Sequence, residues 1–560
     1  MQTLLCLAGM AFVSIAPADM TQFIETYSSD WNLLRREYSI AESPERGARL
    51  RIFLTERLRE AKATKFSDFD DEGRVDAILI RNQIEHEIRQ LGIDEKSRKE
   101  TEALFPFGKP IISFGEDLRA MKSVDPEAAA GVLDALAQEI ESARKGVDSG
   151  NLTAKGSVAN RAARTVDSLK GTLDDWFSFY NGYDPLFTWW VETPYKSASK
   201  ALENYSALLR EKLVGTKKGD EIAIVGDPIG REALLSELQF EMIPYTPEEL
   251  IQIANKEYAW CEAEMKKASR EMGFGDDWKK ALEKVKQDHV APGKQPELVR
   301  NLAKEAIRFV EDHQLMTVPE LCKETWRRQM MSPRQQLMSP FFLGGETIQI
   351  AYPTDQMSQE DKMMSMRGNN VHFARATVFH ELIPGHCLQA FMNERYRPYR
   401  GIFWTPFWTE GWALYCEMLF WDLGFPKTPE NKIGMLFWRM HRCARIIFSL
   451  NFHLEKMSPQ ECVDLLVEKV GHERANAEAE VRRSLSGDYG PLYQCAYMLG
   501  GLQFKALHHD LVDSGKMTNR EFHDTILKEN NIPVAMVRAL LTKEKLDPDF
   551  RATWRFYPLY

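Results

Sequence analysis

Residues 246–275 read TPEELIQIANKEYAWCEAEMKKASREMGFG and show the pattern that most of the chain repeats. Thr246 and Pro247 form the kind of polar and proline start that helices favour, and acidic residues follow in the first turn. Apolar residues then recur at the 3.6-residue spacing of an amphipathic helix until glycines appear at 273 and 275. The stretch predicts one long helix.

Other parts of the chain repeat this rhythm without a fixed period, which excludes a repeat architecture. Strand signals are few by comparison. The best lies at 341–352 (FFLGGETIQIAY), where Ile348 and Ile350 alternate with polar neighbours before Pro353, and a weaker one lies at 219–227. We therefore expect a mainly α fold with a small sheet. Further predicted helices are 44–62, following Ser43 as N-cap, then 125–146, 295–310 and 458–470.

The bulk composition is that of an ordinary globular protein. The chain has 560 residues and a net charge of −10, with Lys and Arg dispersed among Asp and Glu, so nucleic acid is not an expected partner. A soft boundary near Gly230 separates an expected N-terminal helical half, 20–230, from a catalytic half, 231–560. Because no Gly/Ser-rich or Pro-rich linker lies between them, we expect both halves to form one body around one cleft.

Residues 1–19 are a candidate signal peptide. The segment 3–18 is apolar and uncharged, and Ala16-Pro17-Ala18 has A-x-A spacing, although a positive start is missing. We expect an exported protein, periplasmic, secreted or envelope-associated, with a buried first helix or a membrane anchor as alternative roles of the segment and the cytoplasm as the alternative location. No later run is long enough to span a bilayer. The eight cysteines form no CxxC pair and are expected to be mostly free and buried.

The segment 378–392, VFHELIPGHCLQAFM, carries the chemistry. His-Glu followed by a nearby His is the usual start of a catalytic zinc site, with the Glu as general base and not as ligand. His380 and His386 are six residues apart, so a regular helix would place them on different faces. Pro384 and Gly385 can break the helix and bring the two rings together. The motif predicts one zinc ion per chain, with Glu381 as base.

A third ligand is expected on a later helix. Residues 408–420 read WTEGWALYCEMLF, and Glu410 lies 24 residues beyond His386, a suitable distance for a helix that returns. Glu417 is two helical turns further and shares its face. One carboxylate can bind the metal while the other orients a ligand histidine from behind.

These residues resemble a bacterial family, the domain-of-unknown-function family numbered 885, related to zinc metallopeptidases. Its hallmark is similar to HE-x-x-PGH-x-x-Q followed by EGWA-x-Y-x-E, as found here from His380 to Gln389 and from Glu410 to Glu417. The second part also resembles the NEGFA-type helix of the aminopeptidase N family. That resemblance implies Glu410 as the third ligand, Glu417 behind a histidine, and a multi-helical gluzincin architecture with a small sheet beside the cleft.

The resemblance extends to Glu480-Val481-x-Arg483, Gln494-x-x-Tyr497-x-x-Gly500 and 522–524. It implies a downstream oxyanion donor, for which Tyr497 is the first candidate and His523 the second. The chain departs from the family pattern at Cys387, at Ser449 and at Asn451. These changes leave the ligands intact and affect the groups around them.

The expected function is zinc-dependent hydrolysis of short peptides, with Glu381 activating a water for attack on the scissile carbonyl. Resemblance to helical gluzincins favours a carboxypeptidase or dipeptidase, and Arg445, Arg482 and Arg483 are candidates for holding a terminal carboxylate. The segment 341–352 is a candidate edge strand for an extended peptide. Two alternatives are a zinc amidase or esterase acting on another acyl compound and a catalytically silent zinc-binding protein.

Overall fold

The structure is a computed structural model that describes residues 20–217, 223–338, 341–487 and 489–558. The expected mainly α fold is confirmed, and the sheet of the described residues has only two short strands. The first helices are α1 Met20–Glu37, α2 Pro44–Ala63, α3 Asp71–Thr101, α4 Gly108–Arg119, α5 Pro126–Asp148, α6 Gly156–Tyr180, α7 Pro185–Leu209 and α8 Gly230–Phe240. The following elements are α9 Pro247–Glu271, α10 Trp278–Lys286, α11 Gln295–Asp312, α12 Glu320–Thr325, β1 Arg327–Met330, α13 Pro333–Met338, β2 Thr347–Ile350, α14 Gln359–Gly368 and α15 Val371–Glu381. The last are α16 His386–Asn393, α17 Pro406–Asp422, α18 Pro429–His453, α19 Pro459–Leu465, α20 Arg474–Leu485, α21 Tyr493–His508, α22 Asn519–Lys528 and α23 Val534–Thr542.

The predicted helix starts are explained by capping. Thr246 accepts a hydrogen bond from the Glu249 backbone N–H, and the Glu249 carboxylate accepts one from the Thr246 N–H, which completes a capping box. Ser43 caps α2 by accepting a hydrogen bond from the Arg46 N–H, and Asp125 caps α5. The predicted segment 458–470 is helical throughout, since α19 continues as a π-helical turn to residue 470.

Two hydrophobic cores organise the described residues. One is built from 104–209, that is, from the segment around α4 to α7. The other combines 20–84 with 234–556, so the first three helices pack with the C-terminal half. Arg400 ties these distant segments together, because its fully buried guanidinium contacts Asp76 and Glu529 at 2.7 Å each. The cores therefore do not divide the chain at Gly230, and the boundary there remains a prediction.

The small sheet differs from the predicted strand. Only Thr347–Ile350 is strand, pairing in parallel with β1 in the register Arg327 to Thr347, and its two isoleucines are buried as the alternation predicted. The residues before it turn back at Gly344 and Gly345, so that Leu343 pairs antiparallel with Gln349. Gly345 has φ 121°, which only glycine adopts readily. Of the weaker candidate 219–227, residues 219–222 lie outside the described residues and 223–227 form no strand.

Two glycines let α17 and α21 cross at backbone distance. A Cβ on Gly411 would lie 2.5 Å from the Gly500 Cα, and a Cβ on Gly500 would lie 2.1 Å from the Phe407 carbonyl oxygen. This crossing holds the N-terminal part of α17, which carries Glu410, against the middle of α21. Among the described residues, every helix is too short or too polar to traverse a lipid bilayer. The candidate signal peptide, residues 1–19, lies outside the described residues.

Candidate metal centre

The helix that carries the motif is broken, as the sequence predicted. α15 ends at Glu381 and α16 begins at His386, and the peptide bond between Ile383 and Pro384 is cis. The backbone folds back closely in this turn, since a Cβ on Gly385 would lie 1.7 Å from the carbonyl oxygen of His380. Real Cβ atoms essentially never come within 3.0 Å of another heavy atom. Gly385 therefore permits the turn that brings the two histidines together.

The rings of His380 and His386 are perpendicular, with centroids 4.9 Å apart. In each ring the Nδ1 atom forms a hydrogen bond with a neighbouring side chain, on the side of the ring away from Nε2. That of His380 lies 2.7 Å from Glu417 Oε1, and that of His386 lies 2.8 Å from Gln389 Oε1. Because both partners are acceptors, the two Nδ1 atoms carry protons and the two Nε2 atoms are free to bind a cation.

Glu410 reaches the two Nε2 atoms from α17. Its Oε2 lies 3.4 Å from His380 Nε2 and 3.2 Å from His386 Nε2, and it has no hydrogen-bond partner although it is buried. Its other oxygen accepts a hydrogen bond from the Tyr493 hydroxyl at 2.5 Å. A buried carboxylate oxygen without a donor needs another source of positive charge.

These three groups fit a zinc ion. Their ligand atoms lie within 4.8 Å of one another, and the described residues contain no other group of this kind. Two ligands of a tetrahedral zinc, each about 2.0–2.1 Å from the metal, are roughly 3.4 Å apart, close to the spacings found between Glu410 and the histidines. Two imidazole nitrogens and a carboxylate are also a ligand set that zinc favours.

Electrostatics agree with this assignment. Burial alone lowers the pKa of His386, but the Glu410 carboxylate outweighs it and raises that pKa to about 9. Burial would raise the pKa of Glu410, yet His386 and His380 hold it well below its usual value. Protons and a divalent cation therefore compete for the same Nε2 atoms.

Glu381 is the last residue of α15, next to the candidate ligand His380. Burial raises the pKa of its carboxyl above the usual value, with His386 and His380 opposing the shift. The turn before β2 lies against it: a Cβ on Gly344 would be 2.2 Å from Glu381 Oε2, and the Gly345 N–H donates to the Glu381 carbonyl oxygen at 3.3 Å. The segment 341–352 thus lies against Glu381, the candidate base, through its turn and not through the strand.

Tyr497 lies beside the cluster. Its ring is parallel to that of His380, with centroids 6.2 Å apart and an interplanar angle of 14°, and its hydroxyl makes no hydrogen bond with the described residues. Two guanidiniums lie over it, with the Cζ of Arg445 at 4.4 Å and that of Arg442 at 5.4 Å from the ring centroid. Its position is consistent with a donor near the candidate metal.

His523 has a different environment. Its Nδ1 donates to the Leu315 carbonyl oxygen at 2.8 Å, and its Nε2 accepts from the Tyr415 hydroxyl at 2.7 Å. Burial lowers its pKa to about 3, so the ring is neutral, and both nitrogens are engaged. The structure does not bring His523 into the cluster, and we do not retain it as an oxyanion donor.

Two contacts of the cluster were not predicted. Gln389 holds His386, and its amide nitrogen donates to the Thr409 carbonyl oxygen at 3.0 Å, next to Glu410 in the chain. The Q of PGH-x-x-Q, three residues after His386, was the available signal. Tyr493 is one helical turn before Tyr497 on α21, and this i, i+4 spacing was the signal that both share a face.

The departures from the family pattern have local partners. The Cys387 N–H donates to the Leu382 carbonyl oxygen at 3.0 Å, and the Ser449 hydroxyl contacts the Cys495 thiol at 3.6 Å. The Asn451 side chain donates to the Ile447 carbonyl oxygen within α18. The cysteines of the described residues are free and buried, as expected, and Cys6 lies outside those residues.

Fold and site together define a mainly helical protein in which a buried histidine, a partly buried histidine and a buried glutamate could hold one divalent metal. The chain belongs to the family described as "Bacterial protein of unknown function (DUF885)", whose model matches residues 36–541. No curated protein matches it.

Two solved structures share the fold. "The structure of a putative lipoprotein of unknown function from Shewanella oneidensis" is 17% identical, with a TM-score of 0.68, over 94% of this chain and 100% of that chain. "The crystal structure of the putative lipoprotein from Colwellia psychrerythraea" is 16% identical, with a TM-score of 0.58, over 94% of this chain and 99% of that chain. At this identity the likeness concerns the fold alone.

Proposed function

We propose that this protein is a zinc-dependent hydrolase that acts on short peptides. The observation that carries the proposal is the Glu410 Oε2 atom, which is buried and without a donor between two Nε2 atoms. Both imidazoles are held from behind in the tautomer that a metal requires, and Glu381 adjoins one of them. The ligand order His, His, Glu is that of a gluzincin, and the three residues come from α15, α16 and α17.

Zinc bound by His380, His386 and Glu410 would lower the pKa of a water and polarise the scissile carbonyl. Glu381 takes the proton of the attacking water and delivers it to the leaving amine, a role that suits a carboxyl whose pKa burial raises. Tyr497 donates to the oxygen of the carbonyl as negative charge develops there. Glu417 and Gln389 fix the imidazoles, so that their orientation costs nothing during the reaction.

The peptide assignment rests on the turn beside the base. Gly344 has no side chain, and the described residues offer no hydrogen-bond partner to its peptide N–H or carbonyl oxygen. An extended peptide can pair with these groups while its scissile bond faces Glu381. An amidase or esterase would use the same metal and base, but a small acyl compound would leave this backbone pairing unused.

A silent zinc-binding protein is the less favoured alternative. A structural zinc site has four protein ligands, whereas the described residues supply three. It also needs no general base, such as Glu381, next to a ligand. The solved structures of similar fold are described as lipoproteins, which supports an exported or envelope-associated location for this chain.

Three substitutions test the assignment. Glu381→Gln keeps shape and removes basicity, so zinc content should stay near one per chain while the hydrolysis rate falls about 10²–10⁴-fold. Glu410→Gln should lose zinc, and Glu417→Gln should weaken zinc binding by about 10–100-fold. Zinc is measured by elemental analysis, and hydrolysis by mass spectrometry of a digested peptide library.

Glu394→Gln is the matched control, since Glu394 is an exposed carboxylate at the end of α16. It should change neither zinc content nor rate. The proposal fails if the parental protein binds no zinc or cleaves no peptide. The role of Glu381 fails if Glu381→Gln cleaves at the parental rate.

A further inference from the structure

Three buried arginines lie near Tyr497. Arg442 and Arg445 come from α18, with 4% of their surface exposed, and Arg483 comes from α20, with 8% exposed. Burying one guanidinium is costly unless a carboxylate and further acceptors compensate it. Three of them beside a candidate active site therefore call for an equal set of anions.

The described residues supply too few anions for them. Glu480 accepts from Arg445 at 2.7 Å and lies 3.4 Å from Arg483, so one carboxylate serves two guanidiniums. Arg442 lies 3.6 Å from Glu417 Oε1, an oxygen that already accepts a hydrogen bond from His380 at 2.7 Å. Among the described residues, the three guanidiniums thus have two carboxylates in ion-pair contact, one of which is engaged with a histidine.

Arg442 is the group that lacks partners. Its Nε and Nη1 atoms are buried and have no hydrogen-bond partner among the described residues. Its remaining contacts are the faces of Trp438, at 4.9 Å, and Tyr497, at 5.4 Å. Nε and Nη1 lie on different edges of the guanidinium, so each is a separate charged donor without an acceptor. Because a buried cationic donor is costly without an anionic acceptor, these two nitrogens indicate a binding position for a carboxylate.

The cluster lies at the right distance from the candidate metal. Arg445 is 4.4 Å from the Tyr497 ring, and that ring is 6.2 Å from His380. One extended residue spans at most about 3.3–3.6 Å. A carboxylate one or two residues beyond a scissile bond at His380 Nε2 would therefore reach these guanidiniums.

We propose that Arg442 and Arg445 bind a carboxylate of the substrate. The enzyme then selects peptides that have a carboxylate one or two residues after the cleaved bond. This carboxylate is either the free C-terminus or an acidic side chain. This inference rests on the proposed function and adds the substrate class to it. The sequence offered Arg445, Arg482 and Arg483 for such a role. The structure assigns it to Arg445 together with Arg442.

The test uses binding without turnover. Zinc-loaded Glu381→Gln protein is incubated with a pooled tripeptide library in three forms: free C-terminal acid, C-terminal amide, and C-terminal amide with glutamate as last residue. Retained peptides are counted by mass spectrometry. We expect acids to be retained about 10- to 100-fold over plain amides, as expected for a charge-assisted hydrogen-bonded pair.

The third form distinguishes the two sources of the carboxylate. Retention of acids alone assigns it to the chain end, and retention of glutamate amides as well extends the subsite to an acidic side chain. Equal retention of acids and plain amides, or no retention of acids, overturns the proposal. This comparison needs no arginine variant, so it holds even if the arginine variants fail to fold.

An arginine variant then locates the subsite. Arg442→Gln should reduce the preference for acids by about tenfold. The matched control is Arg439→Gln, because Arg439 is also buried on α18 but is paired with Glu257 at 2.8 Å and with the Trp260 ring at 4.1 Å. A merely structural Arg442 would lower acid and amide binding equally, and an equal loss of preference in both variants would also contradict the assignment.

The outcomes separate this inference from the proposed function. If the protein selects peptide acids but cleaves no peptide, the carboxylate subsite is supported and the proposed hydrolase function is wrong. If the protein binds zinc and cleaves peptide acids and amides equally, the proposed hydrolase function is supported and the carboxylate subsite is wrong.

Discussion

Replacing Gly385 by alanine should abolish the candidate metal centre while leaving most of the fold intact. The added Cβ would lie 1.7 Å from the His380 carbonyl oxygen and 2.6 Å from that of Phe379. Both obstacles are backbone atoms, so no side-chain rotation relieves them. The turn must open until the nearest contact reaches at least 3.0 Å.

That displacement exceeds 1 Å, whereas metal ligands must keep their positions to within about 0.2 Å. His380 and His386 could then no longer bind the same ion. We expect zinc affinity to fall by about 10²-fold or more, at least the loss seen when an outer partner of a ligand is removed. Overpacking of this kind costs about 1–3 kcal/mol of stability, which a chain of this size tolerates.

Zinc affinity is measured by competition with a chelator, and helical content by circular dichroism. The control is Gly401→Ala, because a Cβ on Gly401 meets no atom within 4 Å, and this variant should match the parental protein in both measurements. Parental zinc affinity in Gly385→Ala would refute the role given to the turn. Global loss of helical content would show instead that the glycine serves the whole fold.

Two further predictions concern groups around α17. Tyr493→Phe removes the donor to Glu410 Oε1, so zinc affinity should fall about 10-fold with stability little changed, as measured by chelator competition and thermal melting. Burial raises the pKa of Glu241, which accepts from the α17 N-cap Thr405, to about 8. This pKa exceeds the value of about 4.5 that the carboxyl has in the unfolded chain. The contribution of Glu241 to the free energy of unfolding is therefore fully present below about pH 4.5 and is lost as the pH rises to about 8. The free energy of unfolding should fall by up to about 5 kcal/mol over that window, and Glu241→Gln should flatten the dependence.

The sequence predicted those features of the fold and the site that depend on residues close together in the chain. The capping residue Thr246 located the start of α9, and Pro384-Gly385 located the break between α15 and α16. The spacing of Glu410 and Glu417 by two turns correctly indicated that both carboxylates approach the histidines from one helix face. Each of these inferences depends on dihedral preferences or periodicity within about ten residues.

Contacts between distant segments could not be predicted in this way. Nothing in 341–352 shows that its glycine turn, and not its strand, would lie against Glu381. Tyr493 and Tyr497 share a face of α21, so spacing cannot decide which hydroxyl meets Glu410. The packing of the first three helices with the C-terminal half depends on buried partners such as Arg400 and Asp76, which are far apart in the chain.

The glycines of the motif and its polar residues have complementary roles. Gly385 precedes His386, Gly411 follows Glu410, and Gly500 lies against Gly411, and at each glycine a Cβ would come closer than 3.0 Å to backbone. The positions of the candidate ligands therefore depend on backbone segments in direct contact, and no side-chain rearrangement can change the separation of these segments. Since metal ligation tolerates only small displacements, such contacts suit the proposed metal site, whose geometry must be fixed by the fold. The glycines of the motif, which have no functional group, are thus needed for the same proposed metal site as the candidate ligands.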